Sequence, residues 1–302
     1  MLDGCMSVSI SHWLIASRPK TLGAAVAPVM AGSVLGWKLG GEFCEWLLLA
    51  TLGSCMCLQV ATNFFNDAVD GLKGSDTDER LGPKRITASG LVPARTVLWG
   101  AGLMLGLAVL LALPLVWYRG WPILAIGIPS LWFCYGYTGG PWPLAYRGLG
   151  ELFVVLFFGL VAVTGSAFVQ SGEWHVEAVV LGLQIGLLST VLIAINNLRD
   201  VVEDAQSGKR TLAVRLGKSF AKWEIWGLHV VALLLGIYWW WALDWRWLMT
   251  LPAIPVLILG ERINRGVAAN EPSAVYNRFL AMAGASLLLF SAVWCWVAIY
   301  KV

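Results

Sequence analysis

The sequence predicts an all-α fold: a multi-pass membrane bundle of about nine transmembrane helices with cytoplasmic cap loops, forming one domain over residues 1–302. Three observations predict it. Hydrophobic residues make up 58% of the 302 positions and charged residues 13%, against about 25% charged in a soluble domain. Such a chain lacks the polar surface to cover a water-exposed globule and must be solvated by lipid. Apolar runs of the length that crosses a bilayer, about 20 residues, recur along the whole chain. The Lys and Arg residues then sort to one side of those runs.

The runs lie near 20–39, 45–65, 95–117, 121–138, 150–170, 177–198, 222–243, 246–260 and 278–300. The eighth is short and broken by Pro252 and Pro255, so a non-spanning hairpin is the alternative there. With the N-terminus in the cytoplasm, the outer side keeps only Lys38, Arg119, Arg246 and Lys301 of the 21 Lys and Arg. That asymmetry is the positive-inside pattern and fixes the orientation; the expected location is the cytoplasmic (inner) membrane. No cationic n-region leads an apolar stretch and cleavage site at the N-terminus, so no cleaved signal peptide is expected. The net charge of +3 is too small to argue for a nucleic-acid partner.

Trp239, Trp240, Trp241, Trp245 and Trp247 cluster around a predicted outer loop, as an interfacial aromatic belt would. Six cysteines and three histidines are scattered without metal-ligand spacing, and no chemistry is assigned to them.

Two polar segments interrupt the apolar pattern. The first reads Asn63-Phe-Phe-Asn66-Asp67-Ala-Val-Asp70 and continues through Asp76, Asp78 and Arg80. If the second span extends to Asp70, then Asn63, Asn66, Asp67 and Asp70 share one helical stripe. The second reads Asn196-Asn197-Leu-Arg199-Asp200-Val-Val-Glu203-Asp204, where Asn196, Asp200 and Asp204 recur every four residues. Four spans separate the segments, an even number, so both face the cytoplasm. Carboxylates at the membrane boundary are costly unless paired or metal-bound. Asp and Asn oxygens are hard ligands suited to Mg²⁺, which usually completes its shell with substrate phosphates. With Lys84, Arg85, Lys209 and Arg210 around them, the two faces describe a cradle for a magnesium–diphosphate. A cation transporter also uses intramembrane acids, but no acid stripe continues toward the outer face.

The pattern Asn66-Asp67-x-x-Asp70 and Asp200-x-x-x-Asp204 resembles the UbiA superfamily of intramembrane prenyltransferases, over nearly the whole chain. Within it, Arg18-Pro19-Lys20-Thr21-Leu22, Gly74-Ser75-Asp76, Tyr137-Thr138, Gly148-Leu149-Gly150 and Asn196 through Gly217 look like the 1,4-dihydroxy-2-naphthoate polyprenyltransferases of menaquinone synthesis. The resemblance implies Mg²⁺ held by Asn66, Asp70, Asp200 and Asp204, and a polyprenyl diphosphate gripped by basic and amide side chains. Those are Lys20, Asn63, Arg80, Lys84, Arg85, Arg147, Asn196, Asn197, Lys209 and Arg210. It implies ionisation of the allylic C–O bond, attack by the naphthoate ring, and loss of CO₂. Asp67 and Asp76 are candidates for a second metal shell or for orienting the ring, and Tyr137 or Tyr146 for stabilising the cation. Other acceptors (4-hydroxybenzoate, homogentisate, haem, chlorophyllide) or a phytyl donor are alternatives. Two departures from the superfamily stand out: residues 135–147 hold no Lys, and Gly148-Leu149-Gly150 is followed by Glu151 rather than Asp.

Overall fold

In a computed structural model, residues 9–74, 81–82, 85–242 and 246–300 are described. They form helices with no strand among them. A short α1 (Ile10–Ser17) turns into α2 (Pro19–Gly40), followed by α3 (Glu45–Lys73), α4 (Ala94–Arg119) and α5 (Trp121–Gly136). The second half begins with α6 (Gly150–Val154), a π-helical segment Val155–Val161 and α7 (Ala162–Ser171), which run as one rod. Then come α8 (Val176–Arg199), α9 (Val201–Gln206), α10 (Leu212–Leu235), α11 (Trp239–Ala242), α12 (Ala253–Ala269) and α13 (Tyr276–Tyr300).

Eight of the nine expected spans coincide with helices, and the remaining one, 246–260, overlaps α12 only from Ala253. Among the described residues seven are long and apolar enough to cross a membrane. The other two are α5, with 16 residues, and α12, with 17. The latter begins after Pro252 and carries Glu261, Arg262 and Arg265, so its polar end lies outside any apolar window.

Close helix contacts rest on small residues, as expected where lipid supplies no hydrophobic drive between helices. Gly32 and Gly36 of α2 abut the backbone of α7 at Val163 and Ala167, with no room for a Cβ. Gly159 of the π segment meets Gly182 and Gly186 of α8 in the same way. Trp117, Trp121 and Trp241 are exposed, and so is Trp240. Trp239 departs from the expected belt. It is 1% exposed, packs against Trp294 at 5.5 Å and donates Nε1–H to Gln184 Oε1 at 2.6 Å. A buried indole needs an acceptor, and Gln184 supplies one. Trp245 lies outside the described residues.

Candidate active site

The first polar stripe forms because α3 continues unbroken to Lys73, and Gly74 at φ +64° ends it. Asn63, Asp67 and Asp70 are all buried on that last part of the helix. The second segment breaks instead. Helix α8 ends at Arg199, Asp200 sits at the joint (φ −94°, ψ +13°), and α9 starts a new axis at Val201. The ends of α3, α5 and α8 come together at one end of the bundle.

Asp70 is the hub. One carboxylate oxygen accepts from Arg85 Nη2 at 2.9 Å and from Lys209 Nζ at 3.0 Å, and the other accepts from the Tyr146 hydroxyl at 3.0 Å. The loops that follow the two polar segments therefore close on one carboxylate, with the 144–146 turn beneath. Lys73 donates to the Thr138 carbonyl at 2.9 Å and lies over the Tyr146 ring at 4.0 Å. Thr138 also donates its hydroxyl to Asn66 Oδ1. Arg210 N–H donates to the Tyr146 carbonyl at 3.2 Å, so this loop is stitched to both polar segments.

Asp200 is held differently. Arg199, 2% exposed, grips both its oxygens at 2.6 Å and also donates to Asn196 and to Asn277, whose amide reaches the Leu81 carbonyl. This bidentate fork is the strong form of the pair. Asp204 is buried and its carboxylate accepts from no side-chain donor among the described residues. Burial, moderated by Lys209 and reinforced by Asp200, pushes its carboxyl up to about 7.

Several expected site residues have structural partners. Asp67 accepts from the backbone N–H of Ile86 at 3.1 Å and of Thr87 at 2.9 Å, one on each oxygen, so it anchors the loop that carries Arg85. Asn63 donates to the Ser17 carbonyl at 2.8 Å and to the Thr21 hydroxyl at 3.1 Å. It pins the α1–α2 corner, where Arg18 adopts φ +49°, a region costly for a side chain with a Cβ. Asn197 donates to Glu151 at 2.7 Å. Arg147 is exposed with its guanidinium 3.8 Å over the Trp142 ring, away from the acids. Lys20 and Arg210 are exposed. Asp76, Arg80 and Lys84 lie outside the described residues.

Lys73, Thr138, Glu151 and Arg199 were not among the expected site residues. For Lys73 the signal was present: it lies three residues after Asp70, on the same helical stripe. It supplies the basic contact to the 135–147 loop that lacks a lysine of its own.

Below the acids a chamber opens with roughly 1040 Å³ of empty space, mouth included, walled by α2 to α5, the π segment and α7. It runs from Gln59 and Thr62 near the acids to Thr51, Leu115 and Ile123 at the far end. Phe133, Phe153 and Phe157 form its upper wall, Phe153 stacking on Phe157 at 4.4 Å and meeting Tyr137 at 5.3 Å. A cluster of acids and cations thus stands at the end of an apolar chamber whose nearest wall is aromatic.

Residues 25–287 match the UbiA prenyltransferase family. The chain belongs to this family. It is an intramembrane prenyltransferase. A 1,4-dihydroxy-2-naphthoate octaprenyltransferase of Mycobacterium tuberculosis is 37% identical over 225 residues, covering 74% of this chain and 76% of that one. The Escherichia coli protein of the same name is 35% identical over 216 residues, covering 70% of each. A UbiA homolog from Archaeoglobus fulgidus solved with DMAPP and Mg²⁺ superposes with a TM-score of 0.70 at 16% identity, covering 96% of this chain and 99% of that one. That likeness concerns the fold.

Among the described residues no three acids, cysteines or histidines converge into a preformed metal cage. The donor set still suits Mg²⁺, which is usually held by one or two carboxylates with waters and substrate phosphates. Asp204 is buried and bonded to no described cation, and Asp70 has its charge balanced by Arg85 and Lys209.

Proposed function

We propose that this protein transfers a polyprenyl group from its diphosphate to 1,4-dihydroxy-2-naphthoate, with loss of CO₂, in a Mg²⁺-dependent reaction of menaquinone synthesis. The observation that carries it is the Asp70 hub: carboxylate, Arg85, Lys209 and Tyr146 assembled over an apolar chamber. The acceptor is supported by the bacterial relatives whose names state it.

Asn66, Asp70, Asp200 and Asp204 would hold Mg²⁺, which supplies charge neutralisation of the diphosphate leaving group. Arg85 and Lys209 bring fixed positive charge to the same mouth and grip diphosphate oxygens. Their present partner is Asp70, so diphosphate and metal can enter by exchanging partners without leaving a buried charge unpaired. The chamber takes the prenyl chain, and Phe133, Phe153 and Tyr137 present π faces to the allylic cation. The same packing keeps water away, which matters because a free allylic cation is readily captured. The polar end faces the cytoplasm in this reading, which the basic-residue asymmetry of the sequence supports.

Membranes containing the protein, given labelled dihydroxynaphthoate and a polyprenyl diphosphate, should form prenylated naphthoquinol and release CO₂ only with Mg²⁺. Product that retains the carboxylate would point to another acceptor class. No product with any hydroxylated aromatic acceptor would sink the proposal.

A further inference from the structure

Glu151 is the second residue of α6, directly after Gly148-Leu149-Gly150, and is 6% exposed. Its Oε1 accepts from Asn197 Nδ2 at 2.7 Å, and its Oε2 is buried with no hydrogen-bond partner among the described residues. A buried acceptor without a donor costs stability, and a carboxylate oxygen more than most. No described cation forms an ion pair with it; the groups facing it are Asn197 of α8, Tyr137 at the end of α5 and Glu224 of α10. The free lone pairs of Oε2 can therefore accept from a neutral O–H or N–H donor of a bound molecule.

Its position says which. A Cβ at Gly150 would stand 3.0 Å from the Tyr137 hydroxyl, so the glycine lets that phenol lie against the start of α6. The Tyr137 ring meets Phe153 at 5.3 Å, and Phe153 lines the chamber. On the other side Asn197 adjoins Asn196, which belongs to the Arg199–Asp200 cluster. Glu151 thus sits between the diphosphate end and the chamber's aromatic neck. That is where the allylic carbon and the attacking ring must meet.

We infer that Glu151 receives a hydroxyl of the aromatic acceptor on Oε2, takes its proton during ring attack, and returns it afterwards. This rests on the acceptor reading above. The allylic C–O bond breaks with its electron pair leaving on the diphosphate, and the ring carbon bearing the carboxylate forms the new C–C bond. The neighbouring hydroxyl becomes a ketone as its proton passes to Glu151. The bond to the carboxylate carbon then breaks, CO₂ departs, and the electron pair restores the aromatic ring. Glu151 hands its proton back to the oxygen. No proton is consumed overall, so a carboxylate with no outlet to water suffices.

The test uses the enzyme in detergent or membranes and compares wild type with two variants, Glu151→Gln and Glu151→Asp. Glutamine can keep the Asn197 bond but presents an N–H₂ donor where Oε2 accepts. With dihydroxynaphthoate, kcat of Glu151→Gln should fall about 100-fold or more, with KM for the polyprenyl diphosphate within about threefold of wild type. Glu151→Asp should recover part of the rate. The decisive reading compares each acceptor with its monomethyl ether at the hydroxyl next to the carboxylate. Wild type should prefer the free hydroxyl strongly, and Glu151→Gln should lose most of that preference. A Glu151→Gln enzyme with wild-type kcat, or one slow but equally selective, overturns the inference, as does loss of donor binding. Failure of the wild type itself to turn over dihydroxynaphthoate would instead count against the proposed function.

Discussion

Lys209 Nζ and Asp70 Oδ2 lie 3.0 Å apart although 139 residues separate them, and this pair ties the two polar segments into one site. Asp70 is 3% exposed, and Arg85 shares the same oxygen. Removing the carboxylate therefore leaves two cations without their buried counter-ion, which costs about 3–5 kcal/mol. Asp70→Asn should lower prenyl transfer by two orders of magnitude or more and reduce Tm. Lys209→Met, which keeps much of the stem, should raise KM for the prenyl diphosphate about tenfold with a smaller change in kcat. Steady-state kinetics on purified protein check both. An unchanged KM in Lys209→Met would separate that lysine from the diphosphate.

Asp67 predicts a different phenotype from its neighbour three residues on. Both its oxygens serve backbone amides of the loop carrying Arg85, and Gly71 lets Thr87 press close to α3. Asp67→Ala strands two partly or fully buried N–H groups, at about 1–3 kcal/mol each. The expected result is a marked fall in Tm, with Mg²⁺ affinity of the folded fraction little changed. Thermal unfolding and Mg²⁺ titration measure the two separately. Equal loss of metal affinity and stability would return Asp67 to the metal site.

Much of this arrangement was legible in the sequence because membrane helices obey a length and a charge rule. Eight of the nine apolar runs coincide with helices, the one broken by Pro252 and Pro255 being α-helical only from Ala253, and the even number of spans between the polar segments put them at one end. Helical spacing grouped Asn63, Asp67 and Asp70 on one stripe. It could not say what each faces, since Asn63 turns to the α1–α2 corner and Asp67 to a loop folding back from Ile86. The four-residue recurrence of Asn196, Asp200 and Asp204 suits one face of a continuous helix, whereas the chain breaks at Asp200. Arg199 escaped notice because a residue adjacent in sequence points to another face of an ideal helix; only the break at Asp200 lets it grip its neighbour. Glu151 was visible only as a mild departure from a family pattern, and its missing partner is a property of packing.

The chamber makes a length-dependent prediction. Thr62 and Thr51 mark its two ends on α3, eleven residues apart, or about 16 Å at 1.5 Å per residue. Gly165 lines it from α7, and a Cβ there already stands 3.3 Å from Ile126 Cδ1. Gly165→Phe should therefore fill its interior. kcat/KM for long polyprenyl diphosphates should fall at least tenfold, while donors of one or two isoprene units stay within a fewfold of wild type. Competition assays with donors of increasing length measure this directly. Uniform loss across all lengths would mean that the substitution disturbs the bundle, not the chamber.

The pH dependence follows from Asp204. Its carboxyl is raised from an ordinary 3.8 to about 7, with burial the main cause. The folded protein thus holds a proton there that the unfolded chain has already lost, so between about pH 4 and 7 this group's contribution to stability declines as pH rises. A metal ion needs the ionised form. Mg²⁺ and the proton therefore compete: below about pH 7 the site must first lose a proton, and above it the carboxylate is ready. The apparent Mg²⁺ affinity, measured with the prenyl diphosphate present, should rise about fivefold from pH 6 to 7 and about twofold or less from pH 7 to 8. In Asp204→Asn, which cannot ionise, affinity should be weaker and flat over the same range. A wild-type profile that is itself flat from pH 6 to 8 would show that Asp204 does not exchange its proton for the metal.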